Sequence, residues 1–199
     1  MTAVATGTSG LIDNFDSHVA GSTLLPGGTM ADGRVGGWNI DKSGTAVTTS
    51  TAVPVTGGDG GGMALNFKGT DNITAMPTPG WGADAAVAIA GTGNCYDASA
   101  YKTGIKISLM MGSGIQNGSV VVSVQTAEDL ATNYASGPQG KTIMITNSWA
   151  DYMIPWGDLM TTYGTPIPLD LKEVHAVVIA TSATTAANFD VWVDNVSFY

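Results

Sequence analysis

The chain ends on the stretch FDVWVDNVSFY, residues 189–199, and this stretch decides the fold. Alternate residues of a β-strand face opposite sides of a sheet. The apolar side chains here form two sets of opposite parity: Phe189, Val191 and Val193 first, then Val196 and Phe198. One strand keeps both sets in the same core only if it contains an extra residue. We therefore predict a β-bulge near Asp194 and Asn195.

The same alternation recurs along the chain between glycine-rich turns, of which GGDGGG (57–62) is the clearest. The segment HAVVIAT (175–181) is apolar on both faces, which is typical of a central strand. Many short strands without a helical period predict an all-β fold, a single antiparallel β-sandwich or jelly roll. We expect at most one turn of helix, after Pro155. The predicted strands are 64–68, 104–110, 119–125, 141–145, 175–181 and 189–198.

Composition narrows the class of protein and its partners. The chain has 199 residues, 44% hydrophobic and 12% charged, which fits one domain with a sizeable core. A net charge of −9 with only seven Lys and Arg argues against nucleic acid and against anionic membranes. No apolar run approaches the length that spans a bilayer, so membrane insertion is not expected. The single cysteine, Cys95, excludes an internal disulfide and is expected to be a small buried residue.

We divide the chain into residues 1–10, a flexible leader or linker remnant, and residues 11–199, the folded module. Low charge and abundant Thr, Ser, Gly and Asn are typical of a module from a larger secreted or surface protein. We therefore expect an extracellular or cell-surface location.

Four motifs, taken in order, resemble one known group of proteins. They are LIDNFDS (11–17), YDASAYKTGIKISLMM (96–111), SWADYMIPWGDL (148–159) and FDVWVDNVSF (189–198). Their order and spacing resemble the galactose-binding-like β-jelly-roll domains, and in particular carbohydrate-binding modules of the family 11 type. The resemblance covers residues 11–198. It implies a non-catalytic, extracellular module that binds a polysaccharide or other glycan.

The resemblance also implies a structural calcium ion between the first and last strands. By motif matching, its ligands would be Asp16 and Asp194, with Asp13 at the first acidic position of the same motif. Carbonyl groups freed by a bulge at Asp194 would suit calcium, which takes six to eight oxygen ligands. The alternative is that Asp194 and Asn195 cap backbone groups at the kink or face water. Asp97 is interpreted as a turn-forming residue, with calcium ligation as its alternative.

A sugar site needs exposed aromatic faces with hydrogen-bonding groups beside them. Trp81 lies in a GWG loop that in the family contributes an aromatic ring, and Trp149 resembles a structural core tryptophan. His175 occupies a position where the family has a histidine in its cleft, whereas Val178 replaces the family's tyrosine. Loop aromatics can also be anchors that cover the core. The predicted carbohydrate-binding residues are Trp38, Trp81, Gln125, Tyr134, Trp156, Tyr163 and His175.

Two further functional classes remain. A calcium-stabilised structural or adhesive module of a surface protein or filament would have the same fold without a competent cleft. An enzyme is not expected, because glycosidases use two facing carboxylates and the only glutamates are Glu128 and Glu173. No GxSxG, HExxH or phosphate-loop motif occurs.

Overall fold

The computed structural model describes residues 3–4, 10–16, 18, 28–29, 35–42, 47–71, 83–89, 95–113, 118–135, 137–181 and 187–199. Two β-sheets pack face to face as a sandwich, and this confirms the predicted all-β jelly-roll class. The pairing of strands β1 and β8 is parallel, and the other described pairings are antiparallel.

The first sheet has the strand order β13-β11-β10-β14-β7-β4-β3, with β8 between β1 and β14. Its central strand β14 is the segment that is apolar on both faces, as expected. Numbered along the chain, the strands of this sheet are β1 (Ala3–Val4), β3 (Gly28–Thr29), β4 (Val35–Lys42), β7 (Ala83–Ala88), β8 (Cys95–Tyr96), β10 (Ser119–Thr126), β11 (Gln139–Met144), β13 (Met160–Thr161) and β14 (Val174–Thr181).

The second sheet has the order β12-β9-β15-β6-β5, with β2 added beside β15. Its strands are β2 (Leu11–Asp13), β5 (Val47–Thr56), β6 (Met63–Asp71), β9 (Gly104–Met111), β12 (Ala150–Pro155) and β15 (Ala187–Phe198). The described helices are short: α1 (Ala127–Ala131) and two 3-10 turns, Trp156–Asp158 and Leu171–Glu173. The first of these 3-10 turns is the one expected after Pro155.

The bulge in the closing strand is confirmed. Against β9, the register of β15 shifts between Asp194 and Ser197, so β15 carries one extra residue there. Asn195 has a φ of 49°, in the left-handed region that Asn tolerates better than most residues. Val193 and Val196 are both fully buried, so the extra residue brings both parities into one core.

The core lies between the sheets and is built from the alternating residues that the sequence indicates. Val120, Val122 and Val124 of β10 are at most 1% exposed, and Cys95 is buried as expected. The four phenylalanines of the chain are all buried: Phe15, Phe67, Phe189 and Phe198.

Two expectations need comment. Trp149 is half-buried rather than part of the core cluster, because it lies just before β12 and its indole N–H reaches the carbonyl of Gly57 at 3.1 Å. Within the predicted leader, Ala3–Val4 pairs with β8. Residues 1–2 and 5–9 lie outside the described residues, and the domain boundary stays a prediction. No helix among the described residues has the length and apolar character to cross a membrane.

Candidate functional site

Asp194, at the bulge of β15, is a nearly buried carboxylate. Its residue is 2% exposed, and its oxygens accept hydrogen bonds from the backbone N–H groups of Asn195 (2.7 Å) and Asp59 (2.8 Å). Burial raises the pKa of Asp194 to about 6; the two hydrogen bonds oppose this rise, and the charges of Asp16 and Asp59 add to it. A buried carboxylate whose charged neighbours are acidic favours a nearby cation.

The glycine-rich loop 57–62 brings Asp16 and Asp194 to the same place. The backbone N–H of Met63, at the end of the loop, donates to Oδ1 of Asp16 at 3.0 Å. A Cβ atom on Gly58 would lie 2.7 Å from Asp194 Oδ2, and one on Gly62 would lie 2.0 Å from Asp16 Oδ1. Both carboxylates therefore approach the loop backbone at positions that only glycine leaves open.

Asp13, the third predicted ligand, has other partners. Its Oδ1 accepts the backbone N–H of Phe15 at 2.7 Å, and its Oδ2 lies 2.9 Å from Nε2 of His18. The hydrogen bond to Asp13 raises the pKa of His18, although burial of the imidazole opposes it. A contact between a strand end and the turn after it leaves no periodic pattern in the sequence.

The fit of calcium to this site depends on backbone oxygens. Within the described ranges there is no group of three or more His, Cys, Asp or Glu side chains that could hold a metal ion. Asp16 and Asp194 would supply two carboxylates, and calcium would require carbonyl groups of the loop and the bulge for the rest. Hydrogen bonds from the side chain of Ser99 and from its backbone N–H, the latter at 2.9 Å, lower the pKa of Asp97, and these contacts fit the predicted turn role.

Gln125 and His175 lie on neighbouring strands at one end of the first sheet. Gln125 pairs with Ala176, and Thr126 pairs with Val174, so His175 is the extra residue of a second β-bulge. Both side chains are half-buried. The apolar run of β14 conceals this bulge in the sequence, because both of its faces are hydrophobic.

Helix α1 follows β10 directly and was not expected, because the sequence indicated at most one turn of helix, after Pro155. Thr126 and Asp129 form a capping box, in which the Asp129 carboxylate accepts the N–H of Thr126 at 2.6 Å and its hydroxyl at 3.0 Å. The Thr-x-x-Asp spacing was the available signal. Asp129 is 1% exposed, and burial raises its pKa. Its Oδ1 is the one buried side-chain oxygen or nitrogen without a partner in the part of the chain described.

The backbones of Tyr134 and Tyr163 both approach Gly137, in the segment after this helix. The N–H of Tyr134 donates to the Asp129 carbonyl at 2.6 Å, and the N–H of Gly137 donates to the Tyr134 carbonyl at 3.3 Å. A Cβ on Gly137 would lie 2.2 Å from the carbonyl oxygen of Tyr163. Tyr163 is 54% exposed, and burial together with the Asp129 charge raises its pKa. We call the set Gln125, Tyr134, Tyr163 and His175 the α1 corner.

The outer face of the first sheet, next to the α1 corner, carries small side chains. Ser123, Ala176 and Val178 point away from the core, yet they are only 3%, 2% and 3% exposed. Val178 pairs with Ser123 on one side and Ala86 on the other. The resemblance implies a tyrosine at position 178, whereas this sheet face has Val178 there.

Trp156 does not join the α1 corner. Trp156 packs on the core, with its ring 5.8 Å from that of Phe198 and its indole N–H donating to the Tyr101 carbonyl at 2.8 Å. These contacts favour a structural role. Trp38 belongs to β4 and pairs with Val87. Trp81 lies outside the described residues.

Comparison with known proteins gives a fold but no sequence family. No protein-family model matches the chain. No curated protein matches it either.

Solved structures of carbohydrate-binding modules match almost the whole chain. A family 11 module of the cellulosomal cellulase Lic26A-Cel5E of Clostridium thermocellum is 13% identical, with a TM-score of 0.57 over 98% of this chain and 95% of that one. A family 11 module from the same organism, in complex with a β-1,3-1,4-mixed-linked tetrasaccharide, is 14% identical, with a TM-score of 0.58 over 98% and 96%. A family 30 module of its cellulosomal cellulase Cel9D-Cel44B is 16% identical, with a TM-score of 0.55 over 95% and 96%. The resemblance to family 11-type jelly rolls is thus confirmed at the level of the fold.

Proposed function

We propose that this chain is a non-catalytic module that binds a neutral polysaccharide at the α1 corner, with a structural calcium ion held by Asp16 and Asp194. The observation that carries the binding proposal is that four predicted sugar-contact residues lie on neighbouring elements at one end of the first sheet. They come from β10, the segment after α1, the segment after β13, and β14. The similar family 11 module in complex with a mixed-linked tetrasaccharide supports a ligand of the same class for this chain.

The chemistry of the α1 corner suits a sugar. Tyr163 offers an exposed aromatic ring to the C–H face of a pyranose, and Gln125 and His175 offer hydrogen-bonding groups to its hydroxyls. Asp129 would position Tyr134 through its backbone carbonyl rather than touch the sugar, because its own side chain is buried. The net charge of −9 favours an uncharged glycan over a polyanionic one.

The absence of catalysis is inferred from the carboxylates. A glycosidase needs one carboxylic acid with a raised pKa facing a second carboxylate across the cleft. Glu128 and Glu173 are both exposed, and Asp129 uses one oxygen in the helix cap. The α1 corner therefore supplies groups that bind a sugar, without a facing acid pair.

Calcium is proposed because the folded chain concentrates negative charge around a buried carboxylate. Asp16 and Asp59 both raise the pKa of Asp194 through their charges. A divalent cation between Asp16 and Asp194 would remove this repulsion and join the start of the chain to its final strand. The proposed calcium site and the cellulosomal origin of two matched modules both support the proposed extracellular location.

The test is retention of the purified chain in native gels cast with barley mixed-linkage β-glucan. We expect retarded migration that is strongly reduced in Tyr163→Ala and reduced less in Gln125→Ala. Met153→Ala is the matched control, since Met153 is similarly exposed (51%) but lies on the second sheet. Normal migration of the wild-type chain in gels containing glucan, mannan or xylan would contradict the proposal.

One observation favours the alternative, a calcium-stabilised structural or adhesive module of a surface protein or filament. The first sheet lacks an aromatic at Val178, and two exposed methionines, Met144 (71%) of β11 and Met160 (69%) of the edge strand β13, lie at one side of it. Such a module would associate with copies of itself. Sedimentation velocity with calcium and with chelator distinguishes the two, because the proposed binding module stays monomeric in both.

A further inference from the structure

We propose a second glycan-contact surface on the opposite side of the sandwich, on the outer face of the second sheet, centred on Trp192. It rests on the proposed function in that its ligand is again a neutral hexose polymer. It uses none of the α1-corner residues. We call this surface the Trp192 face and define it by Trp192, Asn66, Asp190, Met110 and Lys68.

The register of β15 places Trp192 on this outer face. Its neighbours in sequence, Val191 and Val193, are 2% and 0% exposed and point into the core. Trp192 has the opposite parity, pairs with Asn66 of β6 and Met110 of β9, and is half-buried. A large aromatic ring thus lies at the centre of a sheet face that is turned away from the core.

The indole N–H distinguishes Trp192 from the other tryptophans whose side chains the structure describes. Trp149 donates to the carbonyl of Gly57 at 3.1 Å, and Trp156 donates to the carbonyl of Tyr101 at 2.8 Å. Within the described residues no acceptor lies opposite the Trp192 N–H, and this nitrogen is not among the buried atoms that lack a partner. It therefore remains accessible to an acceptor from outside the chain.

The carboxylate of Asp190 is fixed in position on the same face as the Trp192 ring. The Asn66 amide donates to Oδ1 of Asp190 at 2.7 Å, and Asn66 itself is 4% exposed, so the pair is fixed in place. A Cβ on Gly112 would lie 2.2 Å from the carboxyl carbon of Asp190, so the backbone there closes the other side. Asp190 is half-buried, and in the described part of the chain its Oδ2 accepts no hydrogen bond. One acceptor oxygen is available to a sugar hydroxyl.

The charges on this face suit a neutral ligand. Lys68 pairs in register with Asp190, and Lys106 forms an ion pair with Asp151 at 2.7 Å. Each lysine of the two neighbouring strands therefore faces an aspartate, so this face has no excess of positive charge to attract a polyanion. An aromatic ring with one donor and one fixed acceptor beside it is the arrangement that recognises a pyranose.

Loop 57–62 borders the surface without closing it. A Cβ on Gly57 would lie 3.8 Å from Cζ3 of Trp192, so the loop touches one edge of the ring. Trp149 is held on the same glycine by its hydrogen bond. A module with one sugar contact on each sheet would bridge two polysaccharide chains.

The experiment is an NMR titration of the ¹⁵N-labelled wild-type chain, read at the tryptophan indole N–H signals. The probes are the β-1,3-1,4-mixed-linked tetrasaccharide and, separately, cellohexaose. Trp192→Phe assigns the Trp192 signal, and Trp156, whose N–H is bonded inside the protein, serves as the internal reference. We expect a saturable shift of the Trp192 signal and an unmoved Trp156 signal. In Trp192→Ala, read at the side-chain amide of Asn66, binding at this face should be about tenfold weaker.

The outcomes separate this proposal from the proposed function. If the Gln125 side-chain amide shifts while Trp192 and Asn66 do not, the second surface is wrong and the α1 corner stands. If Trp192 shifts in a Tyr163→Ala, Gln125→Ala chain, the second surface is independent of the first. If neither probe moves any signal, both proposals are wrong.

Discussion

The backbone N–H of Asp59 donates to Oδ2 of Asp194 at 2.8 Å, and this bond ties the glycine-rich loop to the bulge of the final strand. Asp16, from the turn after β2, reaches the far end of the same loop through the N–H of Met63. Three segments distant in sequence thus meet around acidic side chains. The stability of the fold should depend on what neutralises them.

Calcium should raise the melting temperature, and chelation should lower it. A ligand at a hundredfold excess over its Kd stabilises the folded state by roughly 2.7 kcal/mol, or about 5–10 °C for a chain of this size. Differential scanning calorimetry in calcium and in EDTA measures the shift. Asp194→Asn should abolish it, whereas Asp151→Asn, on an exposed aspartate paired with Lys106, should keep it. Equal melting temperatures in calcium and EDTA would refute the metal site.

Without calcium, stability should fall as the pH rises through the pKa of Asp194. Its folded pKa of about 6 exceeds the ordinary 3.8, so the folded state holds the proton more tightly. The resulting stabilisation is complete below about pH 4 and is lost as the pH rises through 6, a change of about 3 kcal/mol. Urea unfolding in EDTA from pH 4 to pH 7.5 measures it. Asp194→Asn, which stays neutral, should show a correspondingly smaller decline over this range.

Gly62 should be intolerant of any side chain. A Cβ there would lie 2.0 Å from Asp16 Oδ1, so Gly62→Ala must displace the carboxylate or the loop. We expect a loss of about 1–3 kcal/mol in the free energy of unfolding, together with a weaker response to calcium. Gly157→Ala is the control, because nothing lies within 4 Å of the atom it adds. A Gly62→Ala chain with wild-type stability and calcium response would mean that Asp16 does not need this position.

The strands, the core and the bulge were predictable because each follows from local parity. Phe189 and Val196 can share a core only across an extra residue, and the sequence shows that conflict directly. The contacts of Asp16 and Asp194 with loop 57–62 involve a sequence separation that no periodic pattern encodes. Only a resemblance to known modules placed these two aspartates together.

The candidate sugar site was less predictable for two physical reasons. The bulge at His175 lies in a strand that is apolar on both faces. The alternation of apolar and polar residues therefore does not change at the bulge, and the sequence does not reveal it. Loop aromatics such as Trp156 and Tyr163 look alike in sequence, since each is directly followed by a glycine. Their burial differs because Trp156 finds a backbone acceptor at Tyr101, and that contact depends on tertiary structure.

The ion pair between His18 and Asp13 should stabilise the fold at acidic and neutral pH. Because the pKa of His18 is raised above its ordinary 6.5, the stabilisation is complete below pH 6.5 and is lost as the pH rises through the folded pKa. A proton NMR titration of the imidazole should give a pKa above 6.5, and Asp13→Asn should return it towards the ordinary value. A His18 pKa at or below 6.5 in the wild-type chain would show that the Asp13 contact does not form in solution.

Trp156 and Tyr163 should respond to mutation in opposite ways. Trp156 contacts the ring of Phe198 and donates to the Tyr101 carbonyl, so Trp156→Ala should cost about 3 kcal/mol of stability. Glycan retention of the remaining folded protein should not change. Tyr163 is 54% exposed, so Tyr163→Ala should alter stability by less than about 1 kcal/mol while retention is strongly reduced. Urea unfolding and affinity gels on the same two variants measure both quantities. A stable Trp156→Ala chain that no longer binds glycan would instead place Trp156 in the binding site, because a ring that only supports the core cannot lower affinity without lowering stability.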